Sequence, residues 1–212
     1  MARNLEGYER EGYTMALNVH RATGSQVSNI REHCARDHYL HRYPDPRSLP
    51  FAYMLDVDGN LHRPDGRLNG FIVMKKPQHH RQKDLFGYAG LPTAWQVLDM
   101  ARVWVHPDLQ QPGLNIFSQM VSKVIKRVQW DWLEHHPPRF PDLPYHIELV
   151  ISYADLKFHS GAAYRACSFT HLGTNNDLSL YYRRLQAPLK AWTPTRPYQR
   201  GLLPNMPLVH VK

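Results

Sequence analysis

The chain has 212 residues and a formal net charge of +8, because 26 lysines and arginines outnumber 18 aspartates and glutamates while its 14 histidines count as neutral. A hydrophobic fraction of 42% and a charged fraction of 21% exclude a chain that is disordered throughout, and the length suits one domain. No apolar run approaches the ~18 residues of a membrane-spanning helix. Two cysteines exclude a disulfide scaffold and a four-cysteine zinc site. Because no secretory signal precedes the domain, we expect a cytoplasmic protein with no membrane partner.

The hydrophobic pattern divides the chain into an N-terminal arm (1–16), a mixed domain (17–185) and an extended, basic, proline-rich tail (186–212). Alternating or continuous apolar runs predict strands at Leu17–Ala22, Phe51–Val57, Leu68–Met74, Trp95–Val105 and Ile147–Asp155, with two more around a turn at Asn175–Asp177. A 3.6-residue apolar period predicts helices from Gln26 to about His41, from Ile116 to just before Pro137, and over Ser160–Cys167. This order of elements predicts an α+β fold with a mixed sheet.

The loop between the central strand and the long helix is a candidate anion site. It contains Pro112 and Gly113 and leads directly into the helix at Ile116. Because the first turn of a helix has free backbone N–H groups and the positive end of the helix dipole, such a loop can bind a pyrophosphate. The alternative is that these residues only turn the chain. The next strand delivers Asp155 to its C-terminal end, where a functional role and the capping of the following helix are both open.

Four stretches in this order, ARVWV, PGLNIFSQ, VISYAD and HSGAAYRACSFTHLG, resemble the Gcn5-related N-acetyltransferase (GNAT) fold, and in particular the Mom-like proteins of phages. The shared positions are Tyr153-Ala154-Asp155, His159, Gly161, Tyr164, Ala166, Phe169 and Gly173, with an early pair at His38-Tyr39. The resemblance covers roughly residues 17–185 and implies a mostly antiparallel sheet flanked by helices. Gln110–Asn115 is only a remnant of the usual acetyltransferase loop, a basic residue or Gln followed by x-x-Gly-x-Gly/Ala.

The Mom-like resemblance implies a transferase that adds a carbamoylmethyl group to the exocyclic N6 amine of adenine in DNA, with acetyl-CoA or a related acyl-CoA as donor. It implies that His38, Tyr39 and Asp155 form the catalytic cluster. Nitrogen and oxygen donors also make these three residues candidate ligands of an Fe²⁺ ion. Without a metal, Asp155 or His38 is a candidate general base and Tyr39 a candidate proton donor. The implied cofactor-binding residues are Val103, Val105, Gly113, Asn115, Ser118 and Tyr164.

The positive charge favours DNA as a partner, because basic side chains release counterions from phosphates. The candidate DNA-binding residues are Arg42 and Arg47 after the first helix, and Lys75, Lys76, Arg81 and Lys83 in a segment that we expect to form an exposed loop. Because N6 of adenine lies inside a duplex, such an enzyme must act on single strands or flip the base.

Two other functions remain open at this point. One is a conventional acetyltransferase that acts on an amine of a small molecule or protein. The other is a non-catalytic, nucleic-acid-binding accessory protein with the same fold, which predicts an empty or occluded pocket beside Asp155. The sequence leaves the oligomeric state open between a monomer and a homodimer.

Overall fold

One seven-stranded sheet runs through the part of the chain that the computed structural model describes, which is residues 15–77, 96–136, 147–175 and 177–186. The strands are β1 (Leu17–Arg21), β2 (Phe51–Val57), β3 (Gly70–Lys75), β4 (Val97–Val105), β5 (Leu149–Asp155), β6 (Thr170–Asn175) and β7 (Leu178–Arg184). The helices are α1 (Ser25–Arg36), α2 (Ile116–His135) and α3 (Ala162–Ala166). Apart from residues 15, 16 and 186, the predicted arm and tail lie outside the described residues.

The strands follow the order β1-β2-β3-β4-β5-β7-β6. Every neighbouring pair is antiparallel except β4 and β5, which are parallel. A parallel pair needs a long crossover connection, and α2 lies in the chain between these two strands. The predicted α+β class, with a mixed, mostly antiparallel sheet flanked by helices, is therefore confirmed. No helix in the described ranges is long and apolar enough to cross a membrane.

The long helix α2 covers one face of the sheet with the apolar side that its 3.6-residue period predicts. Met120, Val124 and Val128 are buried there and belong to one cluster with Leu98 of β4 and Val150 of β5. Burying one side chain of this size contributes about 1.5–3 kcal/mol to stability. This cluster is the main core of the domain.

The shorter helix α1 covers the opposite face. Ile30 and Cys34 pack there against Met54, Phe71 and Val73. Burial raises the pKa of the Cys34 thiol to about 12, so this cysteine is an inert packing residue, as the sequence predicts.

α1 ends at Arg36, several residues before the predicted end near His41. The N–H of His41 donates to the carbonyl oxygen of His38 at 2.8 Å, and His41 adopts a left-handed φ of 45°. Leu40, which extended the apolar period in the sequence, is exposed. The predicted helix was therefore too long, because residues 38–41 form a separate turn where the sequence predicted the last turn of the helix.

β4 contains a β-bulge at Ala101. Arg102 and Met100 lie opposite two consecutive residues of β3, so Ala101 between them has no partner there. The extra residue changes which side chains point to which face. Met100 and Val103 both pack on the α2 face, whereas Arg102 points to the α1 face and donates from Nε to the carbonyl oxygen of Arg42 at 2.9 Å.

β4 and β5 are paired over only three residues, ending where Asp99 lies opposite Ile151. Just beyond that point, Ser152 Oγ donates to the carbonyl oxygen of Met100 at 2.9 Å. No further pairing between the two strands occurs in the described residues. The sheet therefore opens between β4 and β5 directly after the bulge.

Candidate active site

A cavity of about 350 Å³ lies where β4 and β5 separate. Its volume falls in the range of about 300–1,000 Å³ that is typical of small-molecule sites. The lining residues are His38, Tyr39, Met100, Ala101, Val103, Phe117, Tyr153, Phe158, His159, Ser160, Gly161, Ala162, Ala163 and Tyr164. They come from the turn after α1, from β4 and β5, from the first turn of α2 and from the segment leading into α3.

The turn after α1 brings the predicted pair, His38 and Tyr39, into this cavity. The Arg102 side chain fixes that turn to β4 through its hydrogen bond to the carbonyl oxygen of Arg42. The same guanidinium donates to the carbonyl oxygen of Ala101 at 2.6 Å. One buried arginine thus holds the bulge and the His38-Tyr39 turn together.

His38 is buried in its neutral form. The N–H of Leu40 donates to Nδ1 of His38 at 3.1 Å, so the proton of the neutral ring must lie on Nε2. Burial, together with the positive charge of Arg102, lowers the pKa of His38 to about 4. His38 therefore offers an N–H donor from Nε2, and this geometry does not favour the predicted role of general base.

Tyr39 is central to a group of rings that we call the ring cluster (His38, Tyr39, Phe158 and His159). Its ring centroid lies 4.6 Å from that of His38, 5.1 Å from that of Phe158 and 5.3 Å from that of His159. Burial and the negative charge of Asp155 raise the pKa of Tyr39. The hydroxyl therefore stays protonated near neutral pH, which is compatible with the predicted proton donor.

Asp155 ends β5 and organises the turn that follows. Its carbonyl oxygen accepts from the N–H groups of Phe158 at 3.0 Å and His159 at 2.8 Å. Its Oδ1 accepts from the N–H of Lys157 at 3.0 Å, which stabilises this turn, whereas the N-cap of α3 is Gly161 and not Asp155 as the capping alternative expected. Asp155 does not line the cavity. The structure therefore brings His38 and Tyr39 together there and places Asp155 behind them, where its charge acts on Tyr39.

Tyr164 of α3 lies on the α2 side of the cavity. Its ring centroid is 5.9 Å from that of Phe117 and 5.2 Å from that of Tyr181. Ser152, which donates to the carbonyl oxygen of Met100 where the strands separate, lies near enough to Tyr164 to influence the ionisation of its hydroxyl. Burial raises the pKa of Tyr164 to about 12. Tyr164 is thus a protonated donor at the opening of the sheet.

Gly161 permits the close approach of α3 to β7. It has a φ of 72°, and a Cβ at this position would overlap the hydroxyl of Tyr181. Other residues rarely adopt this backbone region. The predicted glycine thus allows Tyr181 and Tyr164 to stack.

The loop before α2 contains two left-handed residues, Gly113 with a φ of 89° and Asn115 with a φ of 51°. Asparagine tolerates this region better than most side chains, so Gly113-Leu114-Asn115 meets the backbone requirement of a Gly-x-Gly loop. Ser118 Oγ donates to the carbonyl oxygen of Asn115 at 2.9 Å. The Asn115 side chain does not cap the helix, which leaves the first-turn N–H groups of α2 suited to an anion.

The two predicted cofactor-binding residues of β4 differ. Val103 lines the cavity. Val105 is buried in the same apolar cluster as Leu109 and Ile116, so its side chain does not line the cavity, and its role in cofactor binding stays a prediction. At Val105, β4 is packed within the core and does not border the cavity.

The Fe²⁺ site implied by the resemblance does not match the described side chains. Among these residues, no group of three or more His, Cys, Asp or Glu side chains is placed to hold a metal. Nε2 of His38 carries the proton, and Oδ1 of Asp155 accepts from the N–H of Lys157. As placed, the three predicted ligands do not fit a shared ferrous ion.

Lys75 is not part of an exposed loop, and that prediction was wrong. It is the last residue of β3, and its Nζ pairs with Oδ2 of Asp99 at 3.0 Å. The two side chains are only 12% and 6% exposed. A buried cation that already has an anionic partner is a poor candidate for binding phosphate.

The other predicted DNA-binding residues are more accessible or lie outside the described residues. Arg42 is exposed in the turn after α1. Arg47 is exposed but pairs with Asp45 at 2.7 Å. The backbone N–H of Lys76 donates to Ser48 at 2.8 Å. Arg81 and Lys83 fall in the undescribed range 78–95.

Several lining residues were missed by the sequence analysis. Met100 and Ala101 reach the cavity through the bulge, which the alternation in ARVWV does not reveal. Phe117 was assigned to the apolar side of α2. Phe158 carried a usable signal, because a phenylalanine in a polar turn directly after β5 has no place in the predicted core.

Comparisons with known proteins point to one fold. No protein-family model and no curated protein matches the chain. The structure of NAA60 from Arabidopsis thaliana in complex with acetyl-CoA matches with a TM-score of 0.52 and 15% sequence identity, over 80% of this chain and 98% of that chain. The structure of the same protein in complex with a bisubstrate analogue matches with a TM-score of 0.50 and 16% sequence identity, over 80% of this chain and 98% of that chain. The GNAT-family N-acetyltransferase YhbS from Escherichia coli, in complex with CoA, matches with a TM-score of 0.48 and 11% sequence identity, over 82% of this chain and 84% of that chain. The chain therefore has the fold of GNAT N-acetyltransferases.

Proposed function

We propose that the protein transfers an acyl group from an acyl-CoA to an amine, and that this amine is the exocyclic N6 of adenine in DNA. The observation that carries the proposal is the cavity at the separation of β4 and β5. It extends from the first turn of α2, at Phe117, to the ring cluster on the other side of the opening. One donor and one acceptor can therefore meet within the sheet.

The α2 side of the cavity suits the donor. The first-turn N–H groups of α2 and the Gly113-Leu114-Asn115 loop suit the pyrophosphate of CoA. The pantetheine arm carries amide groups, and the edge of β4 beyond Asp99 has no partner strand in the described residues. An amide-bearing arm can pair with such an edge as an added strand does. Its thioester then lies near Ala101, beside Val103.

The described groups can support acyl transfer. The amine nitrogen attacks the thioester carbonyl carbon, a C–N bond forms and the C–S bond breaks. Ala101 has no register partner in either neighbouring described strand, and we assign to its N–H the stabilisation of the developing oxyanion. The Tyr164 hydroxyl gives its proton to the departing CoA thiolate, and His159 accepts the proton released by the amine. His159 lines the cavity and is the exposed imidazole of the ring cluster.

The ring cluster suits a flat heteroaromatic acceptor. Tyr39 offers a ring face on which a base extruded from a duplex can stack. Nε2–H of His38 is a donor for a ring nitrogen of adenine. The exocyclic amine is a weak nucleophile because its lone pair is delocalised into the ring, which explains the need for a base such as His159. The Mom-like resemblance and the charge of +8 support DNA as the acceptor.

The acceptor is tested by mass spectrometry of nucleosides from the DNA of cells that express the protein, Tyr164→Phe or Asp155→Ala. We expect a modified adenine with the wild type and about 10²-fold less with Tyr164→Phe, which lacks the proton donor. Asp155→Ala also lowers the yield, because the turn that carries His159 loses its anchor. The mass of the adduct distinguishes a simple acyl group from the carbamoylmethyl group that the resemblance implies. Unmodified DNA in all three cultures contradicts the DNA acceptor.

The donor is tested separately by calorimetric titration of the purified protein with CoA. Val103→Trp fills the donor side of the cavity and is expected to abolish binding, whereas Leu178→Ala, outside the cavity lining, leaves it unchanged. CoA binding without DNA modification would favour the conventional acetyltransferase. Absence of CoA binding to the wild type would overturn the proposal.

A further inference from the structure

The turn after β5 exposes apolar side chains at the mouth of the cavity. Phe158 is 60% exposed, more than any other large hydrophobic residue in the described chain, and Leu156 two residues earlier is 44% exposed. We call Leu156–Phe158 the tip. Large side chains of this kind are usually buried, so a phenylalanine held in solvent beside a cavity points to a partner surface.

The tip is held in place by hydrogen bonds at both ends. Asp155 accepts from the N–H groups of Lys157 and Phe158, each at 3.0 Å. The N–H of Leu156 donates to the carbonyl oxygen of Asp177 at 2.7 Å, and Nζ of Lys157 pairs with the carboxylate of Asp177 at 2.8 Å. The exposed ring of Phe158 is therefore presented on an ordered turn.

Phe158 contributes both to the wall of the cavity and to its outer surface. Its ring centroid is 5.1 Å from that of Tyr39 and 6.5 Å from that of His159. A base that occupied the cavity would therefore have the Phe158 ring between itself and the space outside the mouth.

We propose that Phe158 is a wedge that enters the base stack of duplex DNA beside the target adenine while that adenine occupies the cavity. This inference rests on the proposed DNA acceptor. An adenine inside a duplex cannot reach a cavity within the sheet, so it must leave the stack. Apolar side chains such as Phe and Leu are inserted between base steps by proteins that unstack DNA. Phe158 matches this role in chemistry, exposure and position, and Leu156 lies beside it.

Phe158 is thus a positioning residue, because it stabilises the extruded state and takes no part in the transfer of the acyl group. A wedge matters only where a stack has to be opened. If Phe158 served only as a wall for the bound base, its removal would impair single-stranded and double-stranded substrates equally.

The test compares one preparation of genomic DNA in native and heat-denatured form, treated with purified protein and acetyl-CoA and followed by nucleoside mass spectrometry. We expect Phe158→Ala to modify native DNA about tenfold less than the wild type. On denatured DNA no stack has to be opened, so the loss should be clearly smaller, about twofold, and should reflect only the place of Phe158 in the cavity wall. Phe158→Leu, which keeps an apolar wedge, should restore most of the activity on native DNA.

Leu178→Ala is the matched control, because Leu178 is 46% exposed but does not line the cavity. It should behave like the wild type on both forms of DNA. An equal loss with Phe158→Ala on both forms overturns the wedge and leaves the proposed function standing, as does unchanged activity on native DNA. A wild type that modifies neither form overturns the proposed function, and the wedge with it.

Discussion

The two halves of the β4–β5 pair have opposite properties. In the paired half, β4 and β5 are joined up to Asp99 and Ile151, and their side chains are buried. In the separated half, β4 is bulged at Ala101, and the two strands line a cavity. Core and candidate active site are thus consecutive stretches of the same two strands. The comparison shows that the cavity begins where β4 gains one extra residue and the pairing of the two strands ends.

The paired half should determine stability, so Leu98→Ala is expected to have the largest effect. Leu98 is fully buried in the main cluster, and its truncation should lower the free energy of unfolding by about 2–5 kcal/mol. Val103→Ala in the separated half should cost less than about 1 kcal/mol, because this side chain is partly exposed, and should instead weaken CoA binding. Urea unfolding and CoA titration of both variants measure the contrast. Equal destabilisation would show that the two halves do not differ.

The separated half should nevertheless contain one position that is sensitive to backbone strain. Gly161→Ala should destabilise the fold by about 2–3 kcal/mol, because alanine is strained at a φ of 72° and its Cβ would overlap Tyr181. Gly173→Ala is the control, since its Cβ would meet no atom within 4 Å, and should change stability by less than about 0.5 kcal/mol. Thermal unfolding of both variants provides the comparison. Matching melting temperatures would contradict the close packing of α3 on β7.

Acid should destabilise the site end of the fold through His38. Its pKa falls from 6.5 to about 4 on folding, so its contribution to stability is complete above pH 6.5 and is lost as the pH falls through that interval. Between pH 7 and pH 5, the wild type should lose about 2 kcal/mol more than His38→Gln. Chemical unfolding at the two pH values measures this difference. The lowered pKa values of His33, His135 and His136 affect both proteins alike. Parallel pH dependences would indicate that His38 is not buried as a neutral ring.

The smallest expected effect on stability lies at the boundary between the halves. Ser152→Ala removes a buried hydrogen bond to Met100 and should cost about 1 kcal/mol. Because Ser152 also favours the ionisation of Tyr164, the proposed proton donor, the turnover of bound acyl-CoA should also fall. Ser28→Ala on the exposed side of α1 is the control and should leave both quantities unchanged. A normal turnover rate in Ser152→Ala would show that Tyr164 acts independently of the hydrogen bond between Ser152 and Met100.

Regular elements were predictable because their periodicity reflects burial. The apolar spacing along α2 and the near-continuous run in β5 follow from packing on one face and on two faces, respectively. The end of α1 was not predictable from this signal, because Leu40 continues the period while its side chain is exposed. Lys75 was assigned to a loop because a lysine has no place in an apolar strand pattern, and the pattern cannot show its partner Asp99.

The candidate site was only partly predictable. The resemblance supplied His38, Tyr39 and Tyr164, all of which line the cavity. It also supplied Asp155, which does not line the cavity. Its position could not be predicted, because it depends on the geometry of the turn after β5. The bulge at Ala101 could not be predicted from ARVWV, because a bulge depends on the register between two strands, and register is a long-range property of the sheet.

Ala101 also determines how this chain can change in length. Because Met100 and Arg102 already point to opposite faces, removing Ala101 would return β4 to a regular alternation and leave every other side chain on its present face. The cavity would lose the residue that lines it at the bulge, and Arg102 would lose its acceptor at the carbonyl oxygen of Ala101. The core therefore tolerates this deletion, whereas the cavity does not. In chains that share this cavity, we expect the extra residue between Met100 and Arg102 to be retained.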